Sequence, residues 1–239
     1  MGEPQDYTKG RSGRAGPTPR CVRCAMHERL CLCAEIRPLE LSTRVVIVTH
    51  AMELHRTTNT GRLAALALQN FELRIRGQRG STFGEATRGV VDPGRRTLLL
   101  YPSEEAEVLA PDDADPRPVT LIVPDGNWSQ ARRVSRREPA LKEVPRVRLP
   151  PGPPSRYRLR THQDPQRLAT LEAVARALGV LEGRGPQAEL ERVFTIMVER
   201  TLWTRGQLAA EKVSGGIPPL TPPLTRRGEG SPAAPRGEG

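Results

Sequence analysis

The chain has 239 residues and a strong excess of positive charge, with 37 Lys and Arg residues against 27 Asp and Glu residues and a net charge of +10. A surplus of that size indicates a polyanionic partner, since each cation set against a phosphate releases a counterion. Codon bias can explain why nearly all of the cations are arginines, but it does not explain their excess over carboxylates. We therefore expect a nucleic-acid partner.

The composition also excludes two classes of protein. Three Phe, two Trp and three Tyr residues are too few for a surface that stacks one base after another. A basic groove around one exposed nucleotide is favoured instead. The N-terminus has no apolar leader, and no apolar stretch approaches the roughly 18 residues of a membrane span. We expect a cytoplasmic protein without a membrane partner.

The length suits one α/β domain with appendages, or two small domains. Residues 1–19 are polar and predicted to be a disordered basic segment, and residues 206–239, rich in Gly, Pro and Arg, a disordered tail. Apolar runs predict strands at 43–49, 72–77, 97–101, 118–126 and 145–149. Helices are predicted at 61–70, at 129–137, from Pro165 with Asp164 as its cap, and at 187–204. Strands alternating with helices predict an α/β domain over 38–205, with a mostly parallel sheet covered by helices.

Both C-terminal helices carry an apolar face, and we assign the face of the last helix to core packing or to a dimer interface. In the first helix the face consists of Leu168, Leu171, Val174, Ala175 and Leu178. In the last helix it consists of Leu190, Val193, Phe194, Met197 and Val198. The stripe of the last helix is not typical of a cofactor site.

All four cysteines lie in a compact module at residues 20–37, as Cys21, Cys24, Cys31 and Cys33. Their spacing, C-x2-C-x6-C-x-C, suits a tetrahedral structural zinc ion, because each close pair can bind the metal and the loop between them closes around it. A redox role for CVRC is the alternative, but the strand-to-helix setting of such motifs is missing. Disulfides are disfavoured in the cytosol. Four protein ligands leave the zinc no open position for catalysis.

The sharpest chemical signal is the segment LIVPDGNWSQARR, a buried strand that ends at Asp125 and continues into a basic helix. Ligands of open α/β sheets bind at the carboxyl ends of strands. Gly126 lets the backbone approach a ligand, Trp128 offers a flat surface, and Arg132 and Arg133 add positive charge nearby. Alternatively, Asp125 merely caps the helix and Trp128 packs in the core.

Two further stretches suit anion binding. The segment HRTTNTGR at 55–62 places hydroxyls, an amide and arginines before a helix. In SRYRLR, Arg156, Arg158 and Arg160 alternate, so a strand would point all three to one side as a phosphate-facing ridge. The alternative for the second stretch is an ordinary solvated edge.

Taken together, the cysteine module, TNTGR, YPSEEA after a strand, DGNWSQARR, and SRYRLR followed by LATLEA resemble the DTW-domain family over roughly residues 20–205. The resemblance implies a tRNA-uridine aminocarboxypropyltransferase with a SPOUT-like α/β domain at 38–205, for which a knotted backbone is an open alternative. It implies S-adenosylmethionine as donor and uridine N3 as acceptor, with 3-(3-amino-3-carboxypropyl)uridine and methylthioadenosine as products. No obligate protein partner is expected.

The resemblance also assigns residues to roles. Asp125 would accept the N3 proton or orient the uracil. The donor would be held by Pro102, Ser103, Glu104, Gly126, Asn127, Trp128, Thr170, Leu171 and Glu172. The tRNA would be held by Arg56, Asn59, Thr60, Arg62, Arg132, Arg133, Arg156, Tyr157, Arg158 and Arg160. The chain departs from the family at Asn127, where threonine is usual, and at Ala169, where serine is usual.

Two alternatives stay open at this point. One is an RNA methyltransferase that uses the same donor, since the sequence does not specify which carbon is transferred. The other is a non-catalytic zinc-containing RNA-binding protein, although a pure binder has no need of a buried strand that ends in Asp-Gly-x-Trp.

Overall fold

The computed structural model describes residues 19–54, 56, 59–111, 114–159 and 167–218. The predicted disordered segment at 1–18 and the last part of the predicted tail, 219–239, lie outside the described residues. The strands are β1 (Arg44–His50), β2 (Phe71–Arg76), β3 (Arg96–Leu100), β4 (Glu107–Val108), β5 (Val119–Pro124) and β6 (Arg146–Arg148). The helices are α1 (Gly61–Ala67), α2 (Trp128–Arg137), α3 (Thr170–Leu181) and α4 (Arg184–Thr204).

Within the described residues, the strands form one six-stranded sheet in the order β2-β1-β5-β3-β6-β4. Every strand pair is parallel, for example Val45 beside Phe71 of β2 and beside Leu121 of β5. The predicted α/β fold with a parallel sheet is confirmed. The two-residue strand β4 was not predicted, because a segment that short carries no periodicity.

The unbroken apolar run of β1 supplies both faces of the sheet, because successive side chains of a strand point to opposite sides. Val45 and Ile47 belong to a core that they share with α1, α3 and α4. Val46 and Val48 belong to a second core that includes Val134 of α2. Helices therefore cover both faces, as the sequence predicts for a parallel sheet.

The chain leaves neighbouring strands β1 and β5 in opposite directions. From β1 it passes through α1 to β2 on one side, and from β5 it passes through α2 to β6 on the other. Between two strands whose connections diverge, the loops at the carboxyl ends leave a crevice where ligands bind in open α/β sheets. The fold thus places the candidate site at the ends of β1 and β5.

The helices α3 and α4 pack on each other and bury the predicted apolar faces, including Leu171, Val174, Phe194 and Met197. The predicted start of the first of these helices was wrong: α3 begins at Thr170, and Asp164 and Pro165 lie outside the described residues. The helix begins there because the Glu172 carboxylate accepts a hydrogen bond from the Ala169 backbone N–H at 2.8 Å.

The predicted tail begins later than expected, because residues 206–218 pack against α4. Val213 is buried, and a short 3-10 helix spans Ala210–Lys212. Arg200 of α4 is 1 % exposed and donates hydrogen bonds to the carbonyls of Gly215 and Gly216 at 3.3 and 3.0 Å. A buried guanidinium requires such acceptors, which a tail of Gly and Pro supplies from its backbone.

Among the described residues, no helix is both long enough and apolar enough to cross a membrane.

Candidate active site and metal site

Asp125 lies at the carboxyl end of β5 and connects three other parts of the chain. It is 5 % exposed, and its Oδ2 accepts hydrogen bonds from Thr49 Oγ1 and Asn59 Nδ2, each at 2.9 Å. Its Oδ1 accepts a hydrogen bond from Thr170 Oγ1 at 2.5 Å. The carboxylate therefore links β1, the loop before α1 and the first residue of α3. Each carboxylate oxygen has two lone pairs, and the described residues use only one lone pair of Oδ1. The other lone pair can accept a hydrogen bond from a ligand.

The turn after β5 is shaped by Gly126 and Asn127. Gly126 has φ +127°, and a Cβ there would lie 2.4 Å from Gln130 Oε1. Asn127 accepts a hydrogen bond from the Gln130 backbone N–H at 3.0 Å, while its own N–H donates to Gln130 Oε1 at 2.7 Å. This reciprocal capping box starts α2 and leaves no room for a side chain at position 126. The alternative interpretation, that Asp125 itself caps the helix, is wrong.

Trp128 is the first residue of α2 and forms an aromatic wall with two neighbours. The residue is 42 % exposed, so the alternative that it packs in the core is wrong. The Tyr101 ring, at the end of β3, lies 6.2 Å from it between centroids. The Arg167 guanidinium carbon lies 5.5 Å from the indole centroid, within reach of a cation–π interaction. The wall offers a flat, partly cationic face for a ring system.

These residues surround a cavity of about 880 Å³. The predicted site residues on its wall are Arg56, Asn59, Thr60, Pro102, Asp125, Gly126, Asn127, Trp128 and Thr170. Segments separated by more than a hundred positions in the sequence thus meet at one edge of the sheet.

Sequence reasoning missed several wall residues, namely Glu53, Tyr101, Arg148, Arg167 and Arg176. A usable signal existed for Glu53 and Tyr101, because both follow buried parallel strands at the carboxyl end of the sheet. No signal existed for Arg148 and Arg176, which are two arginines among many.

Other predicted donor contacts do not lie on the cavity wall. Ser103 and Glu104 follow Pro102 but are not part of the wall, and Leu171 is fully buried. Glu172 is buried too, and it accepts hydrogen bonds from Ser155 Oγ at 2.6 Å and the Arg156 backbone N–H at 2.7 Å. This carboxylate ties the 155–156 loop to the start of α3, which is a structural role.

The predicted RNA contacts divide into exposed and buried groups. Arg132 and Arg133 are exposed on α2, as are Arg156 and Arg158 in the loop before α3. Thr60 is buried, and its hydroxyl accepts a hydrogen bond from the Leu171 backbone N–H at 3.2 Å. Arg62 is half-buried, and Arg160 lies outside the described residues.

Residues 156–159 form no strand, so the ridge that an alternating strand would make is absent from this described part of the chain. Residues 156–159 form a loop with a tight turn, in which the Arg158 backbone N–H donates to the Arg156 carbonyl at 2.9 Å. Tyr157 is 1 % exposed and packs on Phe194 of α4 with a centroid distance of 5.7 Å, so it is a core residue and unavailable to RNA. Burial of that ring, rather than strand alternation, sets the direction of the neighbouring arginines.

The four cysteine sulfurs form a compact cluster. All Sγ atoms lie within 4.8 Å of one another, with Cys21 and Cys33 at 3.6 Å and Cys24 and Cys31 at 3.9 Å. A tetrahedron with zinc–sulfur bonds of about 2.3 Å has edges of about 3.8 Å, so the spacing fits a zinc ion. These distances are too long for disulfide bonds, which need about 2.05 Å.

The surroundings of the sulfurs affect their ionisation differently. Burial opposes ionisation of Cys21, but hydrogen bonds from the Cys24 and Arg23 backbone outweigh it and lower the pKa to about 7. Burial raises the pKa of Cys24 to about 11, and burial together with the charge of the neighbouring sulfurs raises the pKa of Cys33 well above its usual value. Four thiolates at this spacing repel one another, so a bound cation is needed to ionise all of them.

The chain matches a known protein family over most of its length. The DTW domain covers residues 18–202. The chain belongs to the DTW-domain family. The match includes the cysteine module, the Asp125 turn and both C-terminal helices, so the predicted resemblance is confirmed.

Relatives of this DTW-domain chain include proteins named tRNA-uridine aminocarboxypropyltransferase 2. Those of Mus musculus and Macaca fascicularis are 33% and 32% identical over 169 residues, covering 69% of this chain and 57% of each relative. That of Drosophila melanogaster is 32% identical over 171 residues, covering 69% of this chain and 67% of the relative. The chain thus matches little more than half the length of the two mammalian relatives. No solved structure matches the chain.

The structure explains both departures from the usual DTW-domain residues. Asn127 caps α2, a task that threonine and asparagine side chains both perform. Ala169 is at the N-cap position of α3, 2 % exposed and without a side-chain cap, so the missing serine hydroxyl costs about 1 kcal/mol of helix stability. Asn127 lies on the cavity wall around Asp125, whereas Ala169 does not.

Proposed function

We propose that this chain transfers the 3-amino-3-carboxypropyl group of S-adenosylmethionine to N3 of a uridine in tRNA. The observation that carries the proposal is Asp125 beside Trp128 on a cavity at the divergence of β1 and β5. Membership of the DTW-domain family and the names of its relatives supply the reaction class. The net charge of +10 supports a tRNA substrate.

The residues of the cavity fit such a donor. The exposed face of Trp128, with Tyr101 and Arg167 beside it, can stack a nucleobase. Arginines on the wall suit a carboxylate, which the aminocarboxypropyl chain carries. The buried carboxylates of Glu53 and Asp125 suit groups that donate hydrogen bonds.

The reaction requires correct positioning and one proton transfer. Uridine N3 forms a bond to the chain carbon next to sulfur, the carbon–sulfur bond breaks, and its electron pair stays on sulfur in methylthioadenosine. Holding that carbon against N3 in place of the methyl group is a matter of orientation, which alone can lower a barrier by about 7–11 kcal/mol. The free lone pair of Asp125 Oδ1 can accept the N3 proton or a hydrogen bond from the uracil. Its place on the cavity wall supports Asp125 as the proposed base.

The by-product identifies the transferred carbon. We expect the purified protein, incubated with S-adenosylmethionine and unmodified tRNA, to form methylthioadenosine and aminocarboxypropyl-uridine, measured by liquid chromatography and mass spectrometry. S-adenosylhomocysteine with a methylated nucleoside would instead identify an RNA methyltransferase. RNA binding with neither product nor affinity for the donor would identify a non-catalytic binder.

We propose that α2 binds the tRNA backbone through its exposed arginines. Arg132 and Arg133 lie in the second turn after Trp128, next to the cavity, with Arg136 and Arg137 one turn further. Replacing Arg132 and Arg133 with alanine is expected to weaken the binding of every tRNA, whatever its nucleotide sequence. The slope of log affinity against log salt should fall by about two, or about one for each phosphate that is no longer neutralised. Filter binding between low and moderate salt measures both quantities.

A matched control removes the same charge elsewhere. Arg184 and Lys212 are exposed and lie outside α2, so replacing both with alanine changes the net charge equally. If the control variant loses as much affinity and slope as the α2 variant, binding depends on overall charge and the phosphate site on α2 is wrong.

A further inference from the structure

Glu53 is a buried carboxylate on the cavity wall to which the sequence pattern assigns no role. It ends the short 3-10 helix Ala51–Glu53 that follows β1, and its side chain is 7 % exposed. Its Oε2 pairs with Arg56 Nε at 3.2 Å. Its Oε1 is buried and accepts no hydrogen bond from the described residues. A buried carboxylate oxygen without a partner is costly, so a ligand that supplies a donor would be bound there.

The position of Glu53 is fixed relative to Asp125. Asn59 Nδ2 donates to the Glu53 carbonyl at 3.3 Å and to Asp125 Oδ2 at 2.9 Å, and the Arg56 backbone N–H donates to the same carbonyl at 3.1 Å. The two carboxylates differ in availability, because Asp125 already accepts three hydrogen bonds whereas Glu53 Oε1 accepts none from the described residues. Of the two, Glu53 is better suited to bind a group with several N–H donors.

We infer that Glu53 binds the α-ammonium group of the S-adenosylmethionine donor, which rests on the function proposed above. The chain to be transferred carries an ammonium and a carboxylate. Arg148 and Arg176 on the same wall suit the carboxylate, and Glu53 is the buried acidic group left for the ammonium. An ammonium brings positive charge and three N–H donors to the unpaired oxygen.

An ion pair between Glu53 and the ammonium would orient the donor for the reaction. Binding the ammonium end of the aminocarboxypropyl chain fixes the direction in which that chain extends from the sulfonium sulfur. The carbon next to sulfur, rather than the methyl carbon, can then be held towards the uridine. Glu53 would thus act on specificity through the position of the donor.

The test compares two ligands that share the adenosine part, of which only S-adenosylmethionine carries the amino-acid part and a positive sulfonium. S-adenosylhomocysteine, which has the amino-acid part without the sulfonium charge, is titrated beside them and should be weakened as S-adenosylmethionine is. Methylthioadenosine lacks the ammonium, so it cannot contact Glu53 in the proposed way. Isothermal titration calorimetry is performed on wild type, Glu53→Gln and the control Glu143→Gln, an exposed residue whose change removes the same charge. For Glu53→Gln we expect S-adenosylmethionine to bind about 10–100-fold more weakly and methylthioadenosine within about two-fold of wild type. The control should bind both ligands as wild type does.

A second variant guards against loss of folding. Glu53→Asp keeps the negative charge but shortens the side chain by one methylene group. It should therefore weaken S-adenosylmethionine binding less than Glu53→Gln. Unchanged methylthioadenosine stoichiometry shows that each variant is folded at the cavity.

Each other outcome overturns the inference. Equal weakening of both ligands places Glu53 at the adenosine part, and unchanged binding of both with lost turnover makes it a base for the uridine. In either case wild type still forms methylthioadenosine, so the proposed function stands. If wild type binds neither ligand, the proposed donor is wrong and this inference fails with it.

Discussion

Turnover by Asp125→Asn is expected to fall by about 10²–10⁴-fold, the usual contribution of a positioned proton acceptor. The asparagine side chain has the same shape, and its oxygen can still accept the bonds from Thr49 and Asn59. Its amide nitrogen would face the Thr170 hydroxyl, which can turn and accept. The fold is therefore kept while the negative charge at the proposed uridine site is lost.

The asparagine variant is more informative than alanine. Asp125→Ala leaves Thr49, Asn59 and Thr170 without their acceptor. Each donor that stays buried lowers the free energy of unfolding by about 1–3 kcal/mol. That loss approaches the whole stability of many domains. Single-turnover formation of methylthioadenosine and thermal unfolding should be measured together. Asp92→Asn, in an exposed turn, is the control for the charge change.

A third variant separates the two roles of Asp125. Thr170→Val removes the 2.5 Å hydrogen bond to Oδ1 but leaves the carboxylate in place. If Asp125 acts as the base, this variant should keep turnover within about ten-fold of wild type. If Asp125 acts only by holding α3, Thr170→Val should reproduce the loss. Near-normal turnover by Asp125→Asn would refute the role of base, because the asparagine keeps its contact with Thr170.

Loss of the metal site is the other change with a large expected effect. The purified protein should contain about one zinc per chain, and replacing Cys31 and Cys33 with serine should abolish zinc binding and lower thermal stability. The module is part of the main core, since Cys24, Met26 and Leu32 are buried there. Release of the module would remove this packing, and a loss of about 3–5 kcal/mol corresponds to roughly 6–20 °C in Tm for a chain of this size.

The control variant for the metal site weakens the contact between the cysteine module and α4 but keeps all four cysteine ligands. Arg200 donates hydrogen bonds to the Cys31 carbonyl at 2.5 Å and to Glu35 Oε1 at 2.6 Å, which holds the module on α4. Arg200→Met should lower Tm while zinc stays at one per chain, measured by elemental analysis. Donor affinity per folded molecule should be unchanged in the cysteine variant. A selective loss of donor affinity there would contradict a purely structural metal.

Local patterns in the sequence were sufficient for much of the fold. The unbroken apolar run that becomes β1 requires burial on both faces, which in turn requires a parallel sheet with helices on both sides. The spacing of the cysteines predicted a cluster that the structure brings together, and the helical periodicity of 187–204 predicted the buried face of α4. Asp125 at the end of a buried strand predicted the location of the cavity. In each case neighbouring residues carry the signal.

Tertiary structure alone decided how distant segments meet. No local pattern shows that Thr49, Asn59 and Thr170 all donate to Asp125, or that Tyr157 between two arginines is a core residue on Phe194. The sequence places Glu53 shortly after a buried strand, but only the folded chain shows that it is buried on the same cavity wall as Asp125. The physical reason is that burial and hydrogen bonds at the crevice depend on segments that are distant in the sequence and meet only in the folded chain. Composition and periodicity report only which face of a single segment avoids water.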